Sequence, residues 1–161
     1  MRMSEGVEWA IHSCINLSWL EPDEAVTAAR LAAFYELPPA YLNKQLQALA
    51  RAGILTSAPG PRGGFRLARS PGDISLLDVV TAIEGREEAF RCEEIVARGP
   101  GEHEGIDYRR SCFVSQAMRR AEMAWRRELA GQTLADLRST VERRLPSAPG
   151  DTRTRFANLR T

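Results

Sequence analysis

The stretch from residue 38 to residue 68, PPAYLNKQLQALARAGILTSAPGPRGGFRLA, constrains the fold more than any other part of the chain. Prolines at its entrance suit a first helical turn, whose amides need no partner inside the helix. Gly53 stands where a helix can end in a left-handed residue. Between them, Leu42, Leu46 and Leu49 recur at helical spacing and form an inward stripe, which leaves Tyr41, Lys44, Gln47 and Arg51 on or near the outward side. Ile54 to Thr56 and Phe65 to Leu67 then flank a cluster of glycine and proline, the pattern of strand, turn, strand. Arg62 falls at the tip of that hairpin, between Gly60 and Gly63.

Upstream, Val7, Ala10, Ile11, Cys14 and Leu17 predict a first helix from about Ser4 to Trp19 with that stripe inward. Cys14 points almost opposite to Glu8 and His12 and reads as a core cysteine. A loop containing EPDE follows, then a second short helix in VTAARLAAFYEL that ends before Pro38. Three helices followed by a basic-tipped hairpin make a winged helix-turn-helix, expected over residues 1–72.

Downstream, Ser75 and Asp78 resemble a capping box that opens a helix in LLDVVTAIEG. The pattern then dissolves into RCEEIVARGPGEHEGIDYRR, and a loop of about twenty residues inside a compact domain is usually functional or disordered. Val114, Met118, Ala121, Trp125 and Leu129 stripe a long helix, and TLADLRSTVERRL makes another. Two long amphipathic helices outside a small DNA-binding unit fit a dimer interface, with packing inside one chain as the alternative. Residues 73–145 are thus expected to supply a loop and dimerisation helices. Residues 146–161, with little to bury, read as a flexible tail. The expected fold is mainly α with a small β-hairpin.

Among 161 residues, 43% are hydrophobic and 27% charged, ordinary values for a globular chain. No apolar run approaches the roughly 20 residues needed to span a bilayer, and no basic segment with an apolar core opens the chain, so a cytoplasmic protein without membrane contact is expected. Three cysteines are too few and too odd in number for a secreted disulfide framework; metal binding or redox chemistry fits better. The net charge of +1 decides little, but residues 37–72 contain no Asp or Glu while holding Lys44, Arg51, Arg62, Arg66 and Arg69. A basic face on a nearly neutral chain is the footprint of nucleic-acid binding, a solvated charged face being the plainer reading. In the major groove of double-stranded DNA, Lys44 can donate to guanine and Asn43 or Gln47 can pair with adenine. Tyr41 and Arg62 suit phosphate, sugar or minor-groove contacts, which position more than they specify. A winged-helix protein-interaction domain is the alternative. The chain has no phosphate-binding glycine loop and no nucleophile elbow, so an enzyme is not expected.

Through YLNKQLQALARAGIL at the recognition helix, PGPRGGFRLA at the wing, ISLLDVVTAIEG beyond it and a cysteine-bearing loop before a long helix, the chain resembles the IscR/NsrR/RsrR-type family of dimeric bacterial winged-helix iron-sulfur regulators. The likeness runs from about Met1 to Leu145. It implies a homodimer with crossing long helices, recognition helices presented to a pseudo-palindromic operator, and a 2Fe-2S cluster at the cysteine loop. Many cluster-holding members have three closely spaced cysteines there, whereas this chain has Cys92 and Cys112, two of the four ligands such a cluster takes. The resemblance is therefore closest to RsrR-like members with Glu, His and two Cys as ligands, and points to Glu8 and His12. Residues four apart share a helix face and can converge on neighbouring irons. Taken alone, such a pair is more often a hydrogen bond on a helix surface, and His103 is a rival nitrogen ligand in the loop.

What the resemblance implies is a redox-sensing transcriptional regulator, in which a ligand set less negative than four thiolates raises the cluster potential. Trp9, beside Glu8, can move with the first helix, although a core or interface aromatic is the plainer role. A cluster-free regulator answering a small molecule or partner, and a nitric oxide or oxygen sensor acting by cluster loss, are the alternatives. An electron-transfer protein would not need the helix-turn-helix.

Overall fold

A computed structural model describes residues 3–60, 63–95, 99, 107 and 112–159. Helix α1 (Glu5–Ser18) buries Val7, Ala10, Cys14 and Leu17 as its pattern requires. Helix α2 (Ala28–Tyr35) starts at Thr27, whose side chain accepts from the Arg30 amide, and ends at Glu36, a left-handed cap with φ 57°. The turn to α3 (Pro39–Arg51) is short, with Pro39 in the first turn where its missing N–H costs nothing.

Gly53 (φ 70°) ends α3 as expected. Its amide donates to the Ala50 carbonyl and the Ile54 amide to the Leu49 carbonyl, each at 3.0 Å, the two bonds of a Schellman motif. The chain is thereby aimed into β1 (Leu55–Ala58), antiparallel to β2 (Gly64–Leu67) with Leu55 opposite Leu67 and Ala58 opposite Gly64. Strand β2 also exchanges two backbone bonds with Val26, of 3.0 and 2.8 Å, just before α2. Gly64 permits this approach: its φ is +137°, and a Cβ there would lie 2.4 Å from the Val26 carbonyl carbon. The wing is therefore bonded to the entrance of the helix-turn-helix.

After a 3-10 turn at Pro71–Asp73 comes α4 (Leu76–Glu84), opened by the expected Ser75–Asp78 capping box. Residues 113–130 form α5 (Phe113–Ala130) and residues 134–144 form α6 (Leu134–Arg144), the latter opened by a second capping box between Thr133 and Asp136. The two caps lie side by side, because the Leu76 amide donates to the Gln132 carbonyl and the Leu134 amide to the Ile74 carbonyl. One apolar cluster joins Leu31, Leu42, Leu46, Leu49, Ile54, Ile74, Val79, Leu134 and Phe156, so residues on both sides of position 72 share a core.

One expectation needs correction. The tail folds: α7 (Ala148–Asn158) begins with a proline in its first turn and buries Thr152 and Phe156. Its stability is tertiary, since the Phe156 ring packs on Phe34 of α2 at 4.8 Å and its carbonyl accepts from Arg30 at 2.6 Å. The stripe on α5, which fits a dimer interface or packing inside one chain, is only partly covered by its own chain. Trp125 and Leu129 are half-buried, whereas Val114 is 60% and Met118 41% exposed, beside the 85% exposed Phe113. The stripe marks an apolar face that this chain does not cover. Among the described residues the fold is seven α-helices and one two-stranded hairpin, a winged helix-turn-helix with added long helices. No described helix is long and apolar enough to cross a membrane.

Candidate nucleic-acid interface and cysteine site

On α3, Leu42, Leu46 and Leu49 are fully buried while Tyr41, Asn43, Lys44, Gln47 and Arg51 are exposed. The recognition helix therefore offers one ammonium, two amides, a guanidinium and a phenol to solvent, donors and acceptors suited to base edges and phosphates. Gln45 instead faces inward against Gly6 of α1, where any side chain at position 6 would collide with it. Not all of the basic stretch is free for DNA. Arg69 donates to the Gly53 carbonyl at 3.2 Å and the Asp73 carbonyl at 3.0 Å, clamping the end of α3 to the turn before α4. Arg66 lies 3.6 Å from Asp23, an exposed pair of small energetic weight. Arg62 lies outside the described residues.

Helix α5 begins immediately after Cys112. There the Ser115 amide first, then the Val114 amide and the Cys92 thiol, hold its pKa below that of an ordinary cysteine. The cause is geometric: the first amides of a helix have no internal partners and favour a negative group. Cys92 and Cys112, twenty residues apart in sequence, thus meet at one helix end. Around them Phe90, Ile95 and Val114 line a cavity of about 270 Å³. Glu94, two residues beyond Cys92, has φ 54°, an uncommon conformation that accompanies a tightly folded loop. His103 lies outside the described residues.

Glu8 and His12 are both exposed on one face of α1. Among the described residues, no three His, Cys, Asp or Glu side chains in one chain are grouped so as to hold a metal ion. The two cysteines are brought together; Glu8 and His12 do not join them within a single protomer. The neighbours of α1 matter more. The Trp9 ring meets Tyr41 of the recognition helix edge-on at 5.0 Å, and the His12 imidazole faces Tyr35 of α2 at 5.9 Å. Tyr35 was not singled out by the sequence. Burial pushes its phenol up to about 12 despite the opposing effects of the Asn16 hydrogen bond and Arg155. No local pattern marks such a residue, because its hydrogen-bond partners lie nineteen and twenty-three positions away.

The family model described as Rrf2, iron-dependent transcriptional regulator, matches residues 3–140. The chain belongs to the Rrf2 family. Curated relatives include the HTH-type transcriptional regulator YffB of Lactococcus lactis, 31% identical over 85% of this chain and 86% of that one. The protein aau3 of Rhizobium meliloti is 35% identical over 85% and 84%. Among solved structures, CymR, the global cysteine regulator of B. subtilis, aligns with a TM-score of 0.63 at 21% identity, covering 87% of this chain and 98% of CymR. The IscR of T. potens aligns with 0.63 at 20%, covering 90% and 91%. At those identities the structures speak for the fold alone. This Rrf2 chain is a DNA-binding transcriptional regulator and not an enzyme, and α7 lies beyond the residues that the family model matches.

Proposed function

We propose that this Rrf2 regulator is a homodimeric redox sensor for a pseudo-palindromic operator. Cys92 and Cys112 would hold one iron of a 2Fe-2S cluster, with Glu8 and His12 of the partner subunit at the other iron. The observation that carries the reading is the separation of two half-sites on one chain. A pair of thiols meets at the start of α5, and a carboxylate with an imidazole stands exposed on α1. Neither half suffices for the four ligands of such a cluster, and together they supply them. The uncovered Phe113 and Val114 directly follow Cys112 and Met118 lies one turn on, so the same helix end offers both thiolates and an apolar surface for a second copy. Helix-end amides that favour the Cys112 thiolate suit a metal ligand, which must be deprotonated.

When bound, the cluster supplies a one-electron couple, poised above four-thiolate ligation because the donor set is less negative. The protein's part is to turn the state of α1 into DNA affinity. Trp9, one residue from Glu8, touches Tyr41 on the recognition helix, so a tilt of α1 changes the contact that positions Tyr41. Tyr41 then serves a phosphate, Lys44 a guanine and Asn43 or Gln47 an adenine, with Arg62 on the wing as a further phosphate or minor-groove contact. A redox change alters affinity only if two arrangements of α1 differ in free energy between the forms.

Anaerobic purification with iron and sulfide counts, followed by operator titration with both redox forms over a range of salt, tests the proposal. Expected are iron and sulfide in equal amounts, steep loss of affinity with salt, and a redox-dependent affinity. Equal affinity in both forms overturns the redox switch. Protein without iron or sulfide overturns the cluster and favours a regulator answering a small molecule or partner.

A further inference from the structure

We infer that Tyr35 is a positioning residue for the His12 imidazole, held in place by Asn16 on one side and by the C-terminal helix α7 on the other. The inference rests on the reading of His12 as a ligand. An exposed histidine on a helix samples several rotamers, and fixing one costs conformational entropy when it binds. A ligand is preorganised where packing and hydrogen bonds hold its ring.

The structure supplies such a hold. Asn16, one turn after His12 and buried, donates from Nδ2 to the Tyr35 hydroxyl at 2.7 Å. That hydroxyl lies 3.4 Å from the His12 carbonyl, to which it donates. Its ring stands 5.9 Å from the imidazole at an interplanar angle of 60°, closing one side of the space the imidazole can sweep. Tyr35 is itself braced. Phe34 packs edge-on against it at 4.8 Å, Phe156 of α7 packs on Phe34 at 4.8 Å, and the Arg155 guanidinium covers Phe34 at 4.7 Å. A file of rings thus runs from α7 through the first helix of the helix-turn-helix to His12. Helix α7 lies beyond the residues that the family model matches.

The chain has only two histidines, so His12 is readily assigned by comparison with His103→Gln. In the apoprotein, the His12 ring protons should be displaced by the ring current of Tyr35. They should return to the position of a solvated histidine in Tyr35→Leu, a variant that keeps apolar bulk, and stay displaced in Tyr35→Phe. In the loaded protein, Tyr35→Leu should change the absorption spectrum and speed cluster loss severalfold, with Tyr35→Phe restoring most of the difference. Melting curves check that both variants are folded. Unchanged His12 resonances together with unchanged cluster lifetime in folded Tyr35→Leu overturn the positioning role. A spectrum unaffected by His12→Ala overturns the ligand reading instead, and the apoprotein resonances distinguish that failure from the first.

Discussion

Cys14 and Cys112 are the same side chain in opposite surroundings. Cys14 sits on the inward stripe of α1 with no exposure, and burial pushes its thiol up to about 12. Cys112 sits at the open end of α5, where helix amides pull its pKa down. A thiol among apolar neighbours behaves as a small hydrophobe; one facing unpaired amides becomes a thiolate, a nucleophile and a ligand. Position on a helix, not residue type, assigns Cys14 to packing and Cys112 to chemistry.

The sharpest break would come from exchanging each for serine. Cys92→Ser or Cys112→Ser should abolish iron and sulfide incorporation, whereas Cys14→Ser should keep both, as metal analysis would show. Iron retained without Cys112 would erase the contrast. Alkylation should separate the thiols next. In apoprotein, Cys112 should react with iodoacetamide at a pH below the ~8.5 of a free thiol, and Cys14 only as the protein unfolds, measured by peptide mass. The sign follows from the shifts: the folded Cys112 pKa lies below its unfolded value, so the thiolate persists to lower pH in the folded state. Stability should invert the ranking. Cys14→Ser leaves a hydroxyl in the core and should cost about 1–3 kcal/mol, while Cys112→Ser should stay within about 0.5 kcal/mol, read from denaturant midpoints. The smallest effect concerns helix starts. Helix α6 is capped by Thr133 where α5 has a thiol, and Thr133→Ala should cost about 1 kcal/mol. Thr133 holds the Asp136 pKa below its usual value, so that cap is intact above the unfolded pKa and weakens as pH falls through the folded one.

The recognition helix was legible because its determinants are local: prolines at one end, glycine at the other, leucines between. The capping box at Ser75 was legible for the same reason. Periodicity also found the apolar face of α5, but a stripe states that a face exists and not what covers it: Val114 and Met118, which fit a dimer interface or packing inside one chain, are left exposed by this chain. Composition misjudged the C-terminus, where Phe156 packing on Phe34, the Arg30 bond to its carbonyl and buried Thr152 dock a helix that its own residues would not stabilise. In the site, the ligand candidates came from resemblance and the meeting of Cys92 with Cys112 from the fold. Tyr35 and Asn16 carry no motif, and only three-dimensional proximity reveals them. Arg69 was counted with the basic face although it spends its donors on backbone carbonyls.

The paired amide and carbonyl bonds between Val26 and Phe65 have a mechanical corollary. They tie the hairpin to the segment that leads into α2, so a displacement of that segment is passed to β2 as well as to the helix. Were α3 and the hairpin both to touch DNA, this tie would favour their shifting together.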